Sequence, residues 1–283
     1  MTISWYPGHM AKAKRALSQQ LAHTDVVLEI CDARLPLSSR NPDLDQLVQH
    51  KQRVLLLNKA DLADPAATRA WVSHYAALGI EAMPITAFQM AQKIFPLIER
   101  AAQAKLERAR DRGIRRTLRA MVVGVPNVGK STLINLMKGK ATIRTEDRPG
   151  VTRSTQWFRV TPYLEIMDSP GLLWPKLMDQ QAARRLAYIG SIRDEALDSF
   201  HLAIALLEEL LESHPEQLIA RYKLSDATQK GQALLEQICQ SRGYLIKGGE
   251  YDLDRAVTAV LDEFRAGKIG RITLEWPPQE TRP

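Results

Sequence analysis

Short apolar runs recur along the first ~170 residues, separated by stretches with helical spacing. DVVLEIC (25–31), RVLLLN (53–58), EAMPI (81–85), RAMVVG (119–124), TQWFRV (155–160) and YLEIMD (163–168) read as strands. Most show no polar alternation, as expected of strands covered on both faces. Helical segments, including a long basic one over about 88–112, lie between most of them. This pattern predicts an α/β fold with a mainly parallel, six-stranded sheet. Only Thr161-Pro162 separates the last two runs. That is too short for a crossover, so they are expected to pair antiparallel at an edge. Ahead of the first strand, residues 8–23 read as an amphipathic helix with Met10, Ala13, Leu17 and Leu21 at helical spacing.

After Pro175 the pattern changes. Residues 179–266 keep helical periods without a convincing strand. ALDSFHLAIALLEELLE (196–212) is the strongest helix; others are expected near 214–222, 228–242 and 252–266, with a turn at Gly248-Gly249. The tail EWPPQETRP reads as frayed. The expected division is therefore 1–178, an α/β domain with an N-terminal helix, and 179–283, an all-α domain.

Composition narrows the class. With 283 residues, 45% hydrophobic and 25% charged, the chain is of ordinary globular make-up and long enough for a real core. No apolar run reaches the ~18–20 residues of a membrane span, and the N-terminus lacks the apolar stretch of a secretory signal. Two distant cysteines, Cys31 and Cys239, make neither a disulfide framework nor a cysteine-rich zinc site. We expect a cytoplasmic protein that does not engage a membrane. The formal charge is +7, but residues 100–160 alone carry +11, leaving −4 elsewhere. Such asymmetry suits a polyanionic partner, nucleic acid before membrane.

The candidate chemistry begins with GVPNVGKST, Gly124 to Thr132. It fits G-x-x-x-x-G-K-[ST], with a buried strand before it and a helix after it. The glycines let backbone N–H groups turn toward phosphate oxygens, and the helix N-terminus adds its dipole. Asn127, Val128, Gly129, Lys130, Ser131 and Thr132 are therefore candidate nucleotide contacts. Lys130 would reach the β- and γ-phosphates and Ser131 would ligate Mg²⁺.

A phosphate loop does not choose the base. Asn58-Lys59-Ala60-Asp61 closes the second strand as N-K-x-D. The Asp61 carboxylate can accept from guanine N1–H and the exocyclic amine, a donor pair that adenine lacks. Lys59 can cover the base and Asn58 can brace the loop, so GTP and GDP are the expected ligands. Thr86 and Ala87, after the third strand, are placed to offer a backbone N–H to the guanine oxygen. Asp168-Ser169-Pro170-Gly171 supplies D-x-x-G: Asp168 for Mg²⁺ and the Gly171 N–H for the γ-phosphate. Thr152, in RPGVTR, is a candidate second Mg²⁺ ligand. Asp32 and Arg34 read as structural.

The order of these motifs is rotated. N-K-x-D precedes the phosphate loop, whereas ordinary GTPases place it last. A circularly permuted P-loop GTPase accounts for this, with the basic segment 88–118 joining the old ends. This order, with WYPGHMAKA at the N-terminus, DARLPLSSRNP (32–42) and GGEYDLDRAV and DEFRAGKIGRITLE near the C-terminus, resembles the ribosome biogenesis GTPase A (YlqF/RbgA) family. The resemblance covers nearly the whole chain. It implies a factor for assembly of the large (50S) ribosomal subunit, binding rRNA in the GTP state through a helical domain and released after hydrolysis.

Leu172 and Leu173 follow D-x-x-G. Leucine cannot orient the attacking water as glutamine does, so low intrinsic turnover stimulated by the ribosome is expected. By residue type His9 is a surface or capping histidine; the resemblance implies a catalytic one. Asn127 likewise is either a loop brace or, as the resemblance implies, a K⁺ ligand whose ion stabilises the bridging phosphate oxygens. We expect a monomer. The rival reading is a GTPase switch acting on a protein or tRNA partner.

Overall fold

The computed structural model describes residues 17–86, 91–114, 116–137, 139, 157–169, 179–192 and 197–278. Residues 17–21 are helical (α1). The chain then alternates: β1 (Val26–Asp32), α2 (Pro42–Leu47), β2 (Gln52–Asn58), α3 (Pro65–Ala77), β3 (Glu81–Pro84), α4 (Ala91–Ala101), α5 (Gln103–Asp111), β4 (Leu118–Val123), α6 (Lys130–Met137), β5 (Trp157–Thr161) and β6 (Leu164–Asp168). These strands form one six-stranded sheet in the order β3-β2-β1-β4-β6-β5. Every pairing is parallel except that of β5 with β6, as the short Thr161-Pro162 link requires.

The apolar strand runs follow from burial on both faces. Along β1, Val26, Leu28 and Ile30 enter the main core with Leu56, Ile94, Ile98 and Val122. Val27 turns the other way, to Leu17, Leu21, Leu44 and Met121. Cys31 also faces away from the main core, joining Leu55, Leu57, Trp71 and Tyr75. α3 starts where Asp64 accepts from Ala66 N and Ala67 N with Pro65 in the first turn, a strong N-terminal stop. The basic stretch between β3 and β4 is not one helix as its periodicity suggests. It breaks at Ala102, which is 1% exposed and separates α4 from α5. Ala102 packs into the main core.

Beyond the sheet lie α7 (Gln180–Tyr188), α8 (Ser199–Ser213), α9 (Pro215–Tyr222), α10 (Gln232–Arg242) and α11 (Leu253–Arg265). Asp179, Asp198 and Asp252 cap α7, α8 and α11 through their side chains, and Gly243 ends α10 in the left-handed region. Leu186, Leu206, Leu234, Val260 and Phe264 belong to the same continuous core as β1 and β4. Among the described residues, no helix is long and apolar enough to cross a membrane.

The C-terminal segment corrects one expectation. Glu275, the first residue of the tail read as frayed, is 5% exposed. Its carboxylate accepts from Leu37 N at 2.7 Å and Ser38 N at 3.0 Å. Its carbonyl accepts from Trp71 Nε1 at 2.8 Å. Leu274 N donates to Arg34 O and Ile272 N to Leu62 O, each at 3.0 Å. Residues 272–275 are thus a strap running back across the β1 and β2 ends of the sheet. Local composition, rich in proline and charge, gave no sign of these distant partners.

Candidate functional site

The N-K-x-D, phosphate-loop and D-x-x-G segments follow the C-terminal ends of β2, β4 and β6, neighbours or near neighbours in one sheet. That is where open α/β sheets bind ligands. Lys130 begins α6, so the loop delivers its N–H groups at a helix N-terminus. Two loop glycines are required by space. A Cβ on Gly124, at φ 153°, would collide with the Ile30 carbonyl oxygen; one on Gly129, at φ 98°, would collide with the Asn58 amide nitrogen.

That second collision marks the join between the N-K-x-D and phosphate-loop segments. Asn58 is 2% exposed and its Nδ2 donates to Val128 O at 2.7 Å. Lys59, itself at positive φ (57°), donates to Asn127 O at 2.9 Å and pairs with Asp32 at 3.2 Å. Asp61 is exposed on the same loop. Asn58 Oδ1 and Thr86 Oγ1 are buried without a hydrogen-bond partner among the described residues. Buried polar atoms of this kind are rare and ask for a ligand or water.

On the phosphate side, Lys130 is 6% exposed and donates to Val125 O at 2.8 Å. Burial pulls its ammonium down to about 8, against the opposing pull of Asp168. Ser131 Oγ donates to Asp168 Oδ2 at 3.0 Å. A hydroxyl and a buried carboxylate meeting at the start of α6 are the hard oxygen donors that Mg²⁺ takes. No cluster of three or more His, Cys, Asp or Glu able to hold a metal occurs among the described residues. Val128 is fully buried and Thr132 half-buried. His9, Ala87, Thr152, Gly171, Leu172 and Leu173 lie outside the described residues.

Asn127 sits at φ 61° and its Nδ2 donates to Gly190 O at 2.6 Å. Ser191 Oγ donates to Pro126 O at 2.6 Å. The phosphate loop is therefore fastened to the end of α7. Arg265 of α11 donates to Tyr188 O and Ala187 O, both at 3.2 Å. Asp32 and Arg34 are both buried and joined at 2.8 Å, and Arg34 reaches on to Phe264 O at 2.8 Å. The Arg34 guanidinium and Lys59 hold the Asp32 carboxyl well below its usual range. Sequence reading missed Gly190, Ser191, Arg265 and Arg271. Arg271 donates to Ala60 O and Ala63 O, each at 3.1 Å, and so grips the N-K-x-D loop. Only Gly190 carried a local sign, a glycine just past a helix end.

With this geometry in view, comparison with known proteins is decisive. Ribosome biogenesis GTPase A of Priestia megaterium is 42% identical over the whole of both chains. This chain belongs to the ribosome biogenesis GTPase A family. The Bacillus cereus member is 43% identical, covering 99% of this chain and 95% of its own. Residues 119–231 match the family described as 50S ribosome-binding GTPase. GNP-bound YlqF from T. maritima superposes with a TM-score of 0.66 at 27% identity, covering 94% of this chain and 98% of that one. As a ribosome biogenesis GTPase A family member, the chain is a guanine-nucleotide GTPase. The rotated motif order seen here is carried on a sheet shared with YlqF.

Proposed function

We propose that this GTPase is an assembly factor for the large ribosomal subunit. It binds the immature particle and its rRNA in the GTP state and leaves after hydrolysis that the particle stimulates. Residues 1–178 act as the nucleotide switch and 179–283 as an rRNA-binding helical domain, and the protein works as a monomer in the cytoplasm. The observation that carries the reading is the fastening of the phosphate loop to α7 through Asn127 and Ser191. A change at the phosphates thereby has a mechanical route into the helical half. Family membership supports the ribosomal partner.

In this account Asp61 reads guanine, with Thr86 and Ala87 at the guanine oxygen. Lys59 covers the base and Asn58 braces the loop. Val128, Gly129, Lys130, Thr132 and Gly171 hold the phosphates. Ser131, Asp168 and Thr152 would hold Mg²⁺, which supplies charge neutralisation at the β- and γ-phosphates. Asn127 would present K⁺, and His9 serves the stimulated hydrolysis.

The test is cosedimentation with large ribosomal subunits in a non-hydrolysable GTP analogue, GDP or no nucleotide, alongside turnover of wild type and His9→Ala. Binding favoured by the analogue, with nucleotide affinity intact but stimulation lost in His9→Ala, is expected. Equal or absent sedimentation in all states would remove the ribosomal switch and promote a protein or tRNA partner. Full stimulation of His9→Ala would remove that residue from catalysis.

A further inference from the structure

The nucleotide site uses one end of the sheet, and the other end carries a distinct charged surface. Where the parallel strands begin, Lys51, Lys105, Arg116, Arg119 and Arg159 surround Asp25 and Glu165 in an open cleft of about 540 Å³. β1 is seven residues long, which separates this cleft from the phosphate loop by roughly 20 Å. A nucleotide at the far end does not reach it.

The two carboxylates are shared among more cations than they neutralise. Asp25 takes Lys105 at 3.3 Å and Arg116 at 2.7 Å on one oxygen, and the Arg119 N–H at 3.0 Å on the other. Glu165 takes Arg119 at 3.1 Å and Arg159 at 3.3 Å. Lys51 donates to a carbonyl, that of Thr24, at 3.0 Å. Burial and the neighbouring Lys105 hold the Lys51 ammonium below the usual lysine value. The side chains of Lys105, Arg116, Arg119 and Arg159 keep 36–66% of their surface exposed, so they can turn to an incoming anion without unfolding.

Two aromatic residues neighbour the residues that line the cleft. Tyr163, at the β5–β6 turn, is 64% exposed, and its carbonyl accepts from Leu118 N at 2.8 Å, which ties it to the start of β4. The Arg119 guanidinium lies 5.3 Å from the Trp157 ring centroid. A groove of cations beside an open aromatic face is the chemistry that single-stranded polynucleotides use: phosphates track the cations and a base stacks on the ring. A flat lipid surface would meet only the rim of a concave cleft.

We propose that this cleft binds the phosphate backbone of single-stranded RNA, with Tyr163 as the platform for a base. It adds an RNA contact on the sheet side of the molecule, and rests on the ribosomal reading above only for where that RNA comes from.

The test uses the full chain and a short fluorescein-labelled single-stranded RNA, with anisotropy followed over a KCl series. The triple variant Lys105→Gln, Arg116→Gln, Arg159→Gln should bind at least ~10-fold more weakly. Its slope of log K on log salt should be shallower by about 2, at ~0.7 per lost phosphate contact. Tyr163→Ala, which removes only an exposed ring, should weaken binding by ~5-fold or more with the slope unchanged. GDP affinity stays at the wild-type value in both, which certifies the fold. Absence of RNA binding by the wild type, or wild-type affinity and slope in the variants, would overturn the proposal. Subunit cosedimentation separates the two readings. RNA binding lost in the variants, with no sedimentation by the wild type, keeps the cleft and removes the ribosomal partner. RNA binding unchanged in the triple variant, with sedimentation retained, does the reverse.

Discussion

Asn58 and Asp61 stand in one loop, and their surroundings divide their work. Asn58 is buried and bonded to the phosphate loop; Asp61 is exposed. Asp61→Asn should therefore lower the preference for GTP over ATP by ~30-fold, about 2 kcal/mol for a charge-assisted pair. Asn58→Ala should weaken GTP and GDP together by ~10-fold, the scale of a lost buried hydrogen bond, and leave that preference intact. Competition binding with GTP, GDP, ATP and ADP reads both. Lys130 adds a pH signature. Its pKa falls from 10.5 to about 8 on folding, so across that window the unfolded chain holds a proton the fold has released. Stability of the nucleotide-free protein then rises with pH over the same interval. Nucleotide binding runs the opposite way, because the phosphates need the ammonium. Affinity should drop above about pH 8, approaching tenfold per unit. Calorimetry in buffers of different ionisation enthalpy should register proton uptake near that pH, and Lys130→Arg should show none.

Among the elements, the strap has the greatest leverage for its length. Replacing Glu275 by alanine leaves two amide N–H groups, of Leu37 and Ser38, without their carboxylate, while Arg185 keeps its pairing with Glu209 at 2.8 Å. We expect a loss of about 2–4 kcal/mol, from ~1–3 kcal/mol per orphaned buried group, measurable by urea denaturation. Strands and helices were legible because their apolar runs are dictated by local burial: β1 through β6 and α8 through α11 fall within a few residues of their expected places. The break at Ala102 and the anchoring of Glu275 were not. Glu275 depends on groups distant in sequence, Leu37, Ser38 and Trp71, and no local periodicity encodes such partners.

For the molecule as a whole, the motifs announced a nucleotide site because phosphate and guanine each demand particular residues at particular spacing. Hydrogen bonding shows how those motifs are held, through Asn127 to Gly190, Ser191 to Pro126 and Arg271 to Ala60. These contacts join segments 60 or more residues apart and involve main-chain oxygens, which leave no mark on side-chain identity. The strap also has a bearing on how the protein is made. Synthesis proceeds from the N-terminus, so the N-K-x-D loop leaves the peptide tunnel early, followed by the phosphate loop, then α7 to α11. Arg271 and the strap, which steady the N-K-x-D loop and the residues just after it, emerge only after all of them. A partly made chain thus carries both recognition loops without their brace, and competence to hold nucleotide should arrive late, close to the moment when the bundle that would respond to it is already in place.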